Sequence, residues 1–271
     1  MLGHAPEEMR RLARQAALAA AETEAFFRGA GITAGMHVLD IGSGAGDVAL
    51  LAARLVPPNG SVHGIERSEG ALRIATARAQ AAGVAPVRFE AADLDTFRPT
   101  RTYDALTGRF VLPYLADPPA TLRRLAAHLR PGGVVALMEF DTTKMESVPE
   151  APLLRTVATW ITEAFRGSGV DPALGSRLTG VFRAAGLPWP YLVAFQKSCA
   201  GPDGFYWWIA ELVRTLLPHI VEQGLATEAE VQPDTLAARL QEEAIEHRAT
   251  IYAPRWVGAW TRIPPEGLAT R

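Results

Sequence analysis

The sequence has 271 residues, of which 48% are hydrophobic, and a formal net charge of −2. This composition is typical of a globular enzyme with a large core, and the charge gives no electrostatic basis for binding nucleic acid or an anionic membrane. A single cysteine, Cys199, excludes an intrachain disulfide, and no spacing of His, Cys, Asp or Glu indicates a metal ion. Because no signal-peptide core and no apolar run of ~18 residues is found, we expect a cytoplasmic protein without a membrane span.

The first predicted elements are a helix, a strand and a glycine-rich loop. The helix covers 6–29, with glutamates in its first turn and a glycine at its end. The strand is the apolar run before Gly42, and small apolar residues at helical spacing follow over 45–55. Since glycines let the backbone turn tightly and approach a ligand, this order predicts the nucleotide-binding corner of a doubly wound α/β sheet.

The loop sequence, DIGSGAGD, also indicates the kind of ligand. Gly46 comes one residue earlier than the last glycine of the dinucleotide-binding pattern, and Asp47 stands where that glycine would be. With Asp40 just before the loop, two carboxylates at a helix start would repel a diphosphate. A cationic or amino-bearing ligand is favoured, and a nicotinamide dehydrogenase is disfavoured.

At this loop the sequence resembles the class I S-adenosylmethionine-dependent methyltransferases, whose first motif has the form hhDhGxGxG. The run LRPGGVVALMEF at 129–140 is also similar to that family, in particular to its small-molecule members such as the ubiquinone/menaquinone-biosynthesis methyltransferases. The resemblance covers about 31–140. It implies S-adenosylmethionine as the cofactor and S-adenosylhomocysteine as the product. The loop residues expected at the cofactor are Asp40, Gly42, Ser43 and Gly44.

Further cofactor contacts are expected where the next strands end. Glu66 ends the second predicted strand, and an acid there is placed to accept hydrogen bonds from both ribose hydroxyls. Arg67 would lie against the adenine face. After the third strand, the resemblance implies that Asp93 accepts from the adenine amino group and that the backbone N–H of Leu94 reaches the ring.

Two further residues are expected near the methionine end of the cofactor. Arg109 follows the fourth strand and either pairs with the methionine carboxylate or donates to nearby backbone. The family often uses its N-terminal helix as a lid over the cofactor, which implies a contact from Gln15. Packing of that helix against the sheet edge is the alternative.

Alternation of strands and helices predicts a doubly wound, seven-stranded Rossmann-like sheet with helices on both faces. The later strands are predicted at 61–66, 87–91, 103–108, 134–140, 189–197 and 256–262. The later helices are predicted at 68–82, 120–129, 151–165, 175–185 and in two parts over 202–248. We expect one continuous domain, with a lid over 1–30, a cofactor-binding half over 31–141, and helical substrate-binding insertions after strands five and six within 142–271.

The second insertion and three scattered side chains are the candidates for acceptor binding and proton transfer. The insertion contains the aromatic run 205–208, of which some side chains must belong to the core and the remainder would suit a flat, apolar or aromatic acceptor. Packing of all four inside the insertion is the alternative. Asp234 is expected to cap the second helix of the insertion. Glu139, Tyr114 and His219 are the candidate catalytic groups. A structural carboxylate for Glu139 and a structural histidine at 219 are the alternatives.

The predicted function is methyl transfer to an O, N or C atom of a small, flat apolar or aromatic metabolite, such as one of specialised metabolism. The residues favour neither O, N nor C as the acceptor atom, and the apolar insertion leaves a homodimer open. A methyltransferase-fold protein that binds the cofactor but catalyses a cyclisation, or only binds a ligand, is the alternative. Nucleic-acid methylation is disfavoured by the charge balance and by the absence of an (N/D)PP(Y/F) motif directly after strand four.

Overall fold

The structure is a computed structural model that describes residues 6–84 and 86–267, and the side chains of the first helix from position 17 onward. The strands are β1 (His37–Ile41), β2 (Ser61–Glu66), β3 (Val87–Ala91), β4 (Tyr103–Arg109), β5 (Leu129–Asp141), β6 (Glu146–Val148), β7 (Tyr191–Phe195), β8 (Ser198–Cys199), β9 (Thr250–Tyr252) and β10 (Arg255–Arg262). The helices are α1 (Pro6–Ala30), α2 (Asp47–Leu55), α3 (Glu69–Ala82), α4 (Pro118–Ala126), α5 (Pro152–Gly167), α6 (Leu174–Ala184), α7 (Tyr206–Glu222), α8 (Glu228–Val231) and α9 (Leu236–Glu246).

Seven of these strands form one sheet in the order β3-β2-β1-β4-β5-β10-β7. The pairs β1–β2, β2–β3, β1–β4 and β4–β5 are parallel, and the chain order reverses between β1 and β4. Most residues of the central strands β1, β4 and β5 are buried, as expected for a parallel sheet that is covered on both faces. The predicted fold class is confirmed. In such sheets the point where the order reverses is where ligands bind, at the carboxyl ends of the strands.

Two helices near this edge, α3 and α4, begin at capping residues. The Ser68 hydroxyl accepts a hydrogen bond from Ala71 N before α3, and Gly83 ends that helix with φ +58°. Asp117 caps α4 by accepting from Ala120 N. The predicted end of α4 at residue 129 is wrong, because the helix ends at Ala126. Leu129 is instead the first residue of β5, where it pairs with Tyr103 of β4.

The chain divides into two compact units. The first comprises Met1–Glu139, Arg177–Val193 and Gly258–Arg271, and the second comprises Phe140–Ser176 and Ala194–Val257. The predicted division into lid, cofactor-binding half and substrate-binding remainder stays a prediction. No described helix has the combined length and apolar character that a membrane crossing requires.

The second unit consists of packed helices and a small antiparallel sheet. Apolar side chains of α5 and α7, among them Val157 and Val213, are fully buried, and Glu243 of α9 accepts from Leu153 N at the start of α5 at 2.8 Å. The small sheet, in the order β6-β9-β8, was not predicted, because strands of two or three residues carry no readable alternation.

Two expectations about the second insertion can be compared with this unit. Asp234 does not cap α9, whose N-cap is Thr235; its Oδ1 instead accepts from Arg214 Nη2 at 2.9 Å. In the aromatic run 205–208 the first two side chains are buried and the last two are partly exposed. The prediction that part of this run belongs to the core is consistent with that placement.

Candidate functional site

The glycine loop between β1 and α2 needs its glycines for conformation as well as for space. Gly42, Gly44 and Gly46 have φ values of +61°, +51° and +86°, in the left-handed region that side chains with a Cβ rarely adopt. A Cβ on Gly42 would lie 2.3 Å from Val111 Cγ2. The loop is therefore held close to the segment that follows β4.

A cavity of about 310 Å³ opens beside this loop. Its walls come from the carboxyl ends of β1 to β4, where ligands bind in this architecture. The lining residues are Gly42, Glu66, Arg67, Ala92, Asp93, Leu94, Asp95, Phe110, Val111, Tyr114 and Leu115. All belong to the first unit, and five of them are among the cofactor-binding residues predicted from the sequence.

Glu66 joins the glycine loop to the end of β2. Its Oε2 accepts from Gly44 N at 3.1 Å, and its Oε1 accepts from Ser68 N at 2.9 Å. A carboxylate oxygen can accept more than one hydrogen bond, so each oxygen keeps capacity for a further donor. The two backbone bonds fix the carboxylate at the cavity wall.

Asp93 and Leu94 form the turn that follows β3. Asp93 Oδ1 accepts from Asp95 N at 2.8 Å, and Asp93 is exposed and lines the cavity. Leu94 is largely buried, and its carbonyl accepts from Arg124 Nη2. The turn thus presents one fixed carboxylate to the cavity.

The two carboxylates at the ends of the loop do not both carry a free negative charge. Asp40 is fully buried and does not line the cavity. Burial raises its pKa to about 8, against the opposing effect of a hydrogen bond from Thr107. Asp47 forms an ion pair with Arg78, whose Nη1 lies 2.6 Å from Oδ1. Burial thus favours the protonated form of Asp40, so the expected repulsion of a diphosphate comes mainly from Asp47.

Arg109 connects α1 with the start of α2. Its Nη1 donates to Thr23 Oγ1 at 2.8 Å, and its Nη2 lies 4.0 Å from Asp47 Oδ2. Thr23 is fully buried, and its hydroxyl donates to Ala19 O at 2.6 Å. The sequence did not predict this connection. Pairing of Arg109 with a methionine carboxylate stays a prediction, and any such ligand would share the guanidinium with these partners.

Ser43 and Gln15 are less informative. Ser43 is buried, its N–H donates to Ile65 O at 2.9 Å, and its side chain lies against Gly64. The side chain therefore packs inside the protein, and only the backbone of Ser43 forms part of the loop. Gln15 belongs to α1, but its side chain is outside the described residues.

This geometry agrees with the comparison to known protein families. A family model described as a methyltransferase domain matches residues 32–183, more than half of the chain. The chain belongs to the class I S-adenosylmethionine-dependent methyltransferase family.

Relatives and solved structures extend this finding. The 2-phytyl-1,4-naphtoquinone methyltransferase of Synechococcus elongatus is 36% identical over 123 residues, 45% of this chain and 50% of the relative. The chain thus spans about half the length of the curated relatives it matches. A putative methyltransferase structure from Bacillus halodurans covers 90% of this chain and 99% of its own, with TM-score 0.61 and 17% identity. The cyclase SpnF covers 91% and 82%, with TM-score 0.55 and 21% identity. At these identities the likeness shows the fold alone.

The predicted catalytic groups of this family member lie in unlike environments. Glu139 is fully buried and accepts from backbone N–H groups, so it is not open to an acceptor in this structure. Tyr114 is 51% exposed and lines the cavity; partial burial and nearby Glu139 raise its pKa to about 12, which opposes a role as a base. His219 is exposed on the last turn of α7, with Nδ1 3.8 Å from Glu222 Oε2, and this placement gives no support to catalysis.

The described residues also bear on metals. Within 6–84 and 86–267 no group of three or more His, Cys, Asp or Glu side chains could hold a metal ion. The lone Cys199 is partly buried, which raises the pKa of its thiol.

Proposed function

We propose that this protein transfers the methyl group of S-adenosylmethionine to a small-molecule acceptor. The observation that carries the proposal is the cavity at the carboxyl ends of β1 to β4, with the Glu66 and Asp93 carboxylates on its wall. Carboxylates accept hydrogen bonds from hydroxyl and amino groups, which are the polar groups of an adenosine. The cavity volume of about 310 Å³ is near the lower limit of small-molecule sites, ~300 Å³.

The residues fit the adenosine part of the cofactor. Glu66 would accept from the ribose hydroxyls with the oxygen capacity that its bonds to Gly44 and Ser68 leave. Asp93 would accept from the adenine amino group, and the Leu94 N–H would donate to the ring. Gly42 has φ +61° and no side chain, which lets the ligand approach the loop closely.

A dinucleotide fits less well. A diphosphate would bind at the N-terminus of the helix after the loop, which is the position of Asp47. Arg78 is the ion-pair partner of that carboxylate, so a diphosphate would compete with Asp47 for the Arg78 guanidinium. The argument against a nicotinamide cofactor therefore rests on one carboxylate, and not on two.

If bound there, S-adenosylmethionine would supply a methyl group on a sulfonium: the bond from the methyl carbon to sulfur would break as the bond to the acceptor forms, with S-adenosylhomocysteine as the leaving group. The contribution of the chain is to align the acceptor and to exclude water, which can supply ~7–11 kcal/mol in favourable cases. Phe110 and Tyr114 give the cavity aromatic surface, and the Synechococcus elongatus relative is named for a naphthoquinone. Both support a flat, largely apolar acceptor. A cyclisation on this fold has no specific observation in its favour.

Two linked measurements test the proposal. Isothermal calorimetry of the purified chain should detect binding of S-adenosylmethionine and of S-adenosylhomocysteine, and no binding of NADH. Cofactor with a labelled methyl group, incubated with a 1,4-naphthoquinone, a phenol and an amine of similar size, should then give a labelled product. Binding of NADH without binding of S-adenosylmethionine would overturn the proposal, and binding without labelled product from any acceptor would favour the cyclisation or ligand-binding alternative.

A further inference from the structure

Glu139 lies near the end of β5 and forms hydrogen bonds with a turn in the segment that follows β4. Its side chain is fully buried. Its Oε1 accepts from Val111 N at 3.0 Å and from Leu112 N at 2.9 Å. One carboxyl oxygen thus satisfies two successive backbone donors. These donors would otherwise be buried without a partner, a costly arrangement.

The segment that Glu139 holds is a wall of the cavity. Four lining residues belong to the segment 110–115, which follows β4. Phe110, its first residue, has φ +58°, a conformation that side chains with a Cβ adopt only under constraint from their surroundings. The backbone bonds inside the segment, from Tyr114 N to Val111 O and from Leu115 N to Leu112 O, close a short 3-10 turn. The hydrogen bonds to Glu139 anchor the start of that turn.

We propose that Glu139 is a positioning residue: it fixes the segment 110–115 in the form that shapes the cavity, and it does not take a proton from the acceptor. This inference rests on the proposed function and deepens it. Through the turn, Glu139 sets the placement of Phe110 and Tyr114, the aromatic side chains that would contact the cofactor or the acceptor.

The state of the carboxyl group agrees with this role. Burial raises the pKa of Glu139 to about 8, although the hydrogen bonds from Leu112 and Val111 act in the opposite direction. Burial therefore favours the protonated form of this carboxyl group. Its carbonyl oxygen still accepts from both backbone donors. A glutamine side chain reproduces that neutral form atom for atom, apart from NH₂ in place of OH.

Two conservative variants separate a positioning residue from a base. Glu139→Gln keeps the acceptor oxygen at the same reach and removes the group that could titrate. Glu139→Asp keeps a carboxyl group but shortens the reach by one methylene, so it cannot hold both donors without moving the turn. A positioning role predicts that Glu139→Gln keeps kcat and the cofactor KM within about threefold. Glu139→Asp would then raise KM and lower kcat/KM by about tenfold or more.

A base gives the opposite order. Loss of a positioned base lowers kcat by ~10²–10⁴, so Glu139→Gln would be the more damaged variant and Glu139→Asp the less damaged one. That order would overturn the inference. A flat response, with both variants equal to the wild-type chain in kcat and KM, would overturn it as well.

Amide hydrogen exchange of the segment 110–115 gives a readout that needs no turnover. The inference predicts protection of the Val111 and Leu112 amides in the wild-type chain and in Glu139→Gln, and at least tenfold faster exchange in Glu139→Asp. Unchanged exchange in Glu139→Asp would contradict it. If these amides respond as expected while the wild-type chain shows neither cofactor binding nor methyl transfer, the proposed function fails and the structural assignment of Glu139 stands. The two failures are therefore distinguishable.

Discussion

The carboxylate of Asp93 is the side chain whose removal tests the cofactor site most directly. It is exposed and accepts a hydrogen bond from Asp95 N in the same turn, so its loss should leave the fold intact. We expect Asp93→Ala to weaken binding of S-adenosylhomocysteine by ~1.5–3 kcal/mol, the usual value of a hydrogen bond to a charged group. This corresponds to roughly tenfold to more than a hundredfold in Kd.

Calorimetry measures this change, with a thermal unfolding curve to show that the variant is folded. Asp95→Ala is the matched control, because Asp95 lies two residues away on the same cavity wall and has no predicted contact with the cofactor. An affinity that is unchanged in Asp93→Ala, or reduced equally in both variants, would mean that the adenine does not bind at this turn.

Asp40 should make the stability of the protein depend on pH. Its pKa is raised by burial from 3.8 to about 8. Between these values the folded chain holds a proton that the unfolded chain has released, so the free energy of unfolding falls as pH rises. The contribution of Asp40 to the free energy of unfolding is fully present below about pH 4, because there the carboxyl group is protonated in both the folded and the unfolded chain. It is lost by about pH 8.

Denaturant unfolding at several pH values tests this assignment by comparison of the wild-type chain with Asp40→Asn. Asparagine reproduces the neutral form and cannot titrate, so the wild-type curve should fall more steeply with pH than that of the variant. The difference in slope is at most ~1.4 kcal/mol per pH unit. Glu139 has its pKa shifted in the same direction and is present in both proteins, so it cancels. Parallel curves would show that Asp40 is ionised in the folded chain.

The placement and the contacts of individual side chains at the site were only partly predictable from the sequence. Glu66 and Asp93 end strands that the apolar pattern marks clearly, and both line the cavity. The raised pKa of Asp40 was not predictable, because it depends on how completely the neighbouring strands exclude water. The contact between Arg109 and Thr23 joins positions 86 apart in sequence. No local pattern indicates which distant hydroxyl an arginine will reach.

Among the elements, the glycine loop contains two positions, Gly42 and Gly44, at which substitution by alanine should lower the stability by different amounts. Gly42→Ala meets both a left-handed φ and a clash, since the new Cβ would lie 2.3 Å from Val111 Cγ2. Gly44→Ala meets the left-handed φ alone, because nothing lies within 4 Å of its Cβ position. We expect a loss of ~1–2 kcal/mol for Gly44→Ala from backbone strain. For Gly42→Ala an additional ~1–3 kcal/mol comes from overpacking.

Denaturant midpoints of the two variants, at an unchanged m-value, measure this difference. Because Val111 is also a wall of the cavity, Gly42→Ala should weaken cofactor binding more than Gly44→Ala does. Equal losses of stability would contradict the close approach of the loop to the segment after β4.

The elements themselves show where sequence patterns suffice. Long apolar strands, helices with a serine or aspartate cap, and glycine ends were predicted close to their observed bounds. The errors lie where tertiary contacts decide. Leu129 continues the helical pattern of α4, yet it begins β5 because it pairs with Tyr103. β6, β8 and β9 have only two or three residues each and are defined by their pairing with one another, so no one of them could be recognised alone.

For the whole molecule, the family assignment explains why the structure of the first unit could be predicted from the sequence better than that of the second. The resemblance over 31–140 falls in the first unit, except for its last residue, and there the order of strands fixes where a ligand site must form. The second unit collects the segments 140–176 and 194–257, which are apart in the sequence. Its packing depends on pairings between distant helices, and a sequence pattern gives each helix without its partners.

Ligand-dependent unfolding of the complete chain tests the cofactor assignment at this scale. A ligand that binds only the folded state at 100 times its Kd adds ~2.7 kcal/mol to the free energy of unfolding. S-adenosylhomocysteine should therefore raise Tm by roughly 5–11 °C for a chain of this size, at ~2–4 °C per kcal/mol. NADH at the same concentration should leave Tm unchanged, because its diphosphate would meet the carboxylate of Asp47 at the start of α2, where Arg78 is already paired with that carboxylate. A shift with NADH that equals the shift with S-adenosylhomocysteine would mean that the loop binds any adenine nucleotide. The selectivity for a sulfur-based cofactor would then have to come from residues other than those of the loop.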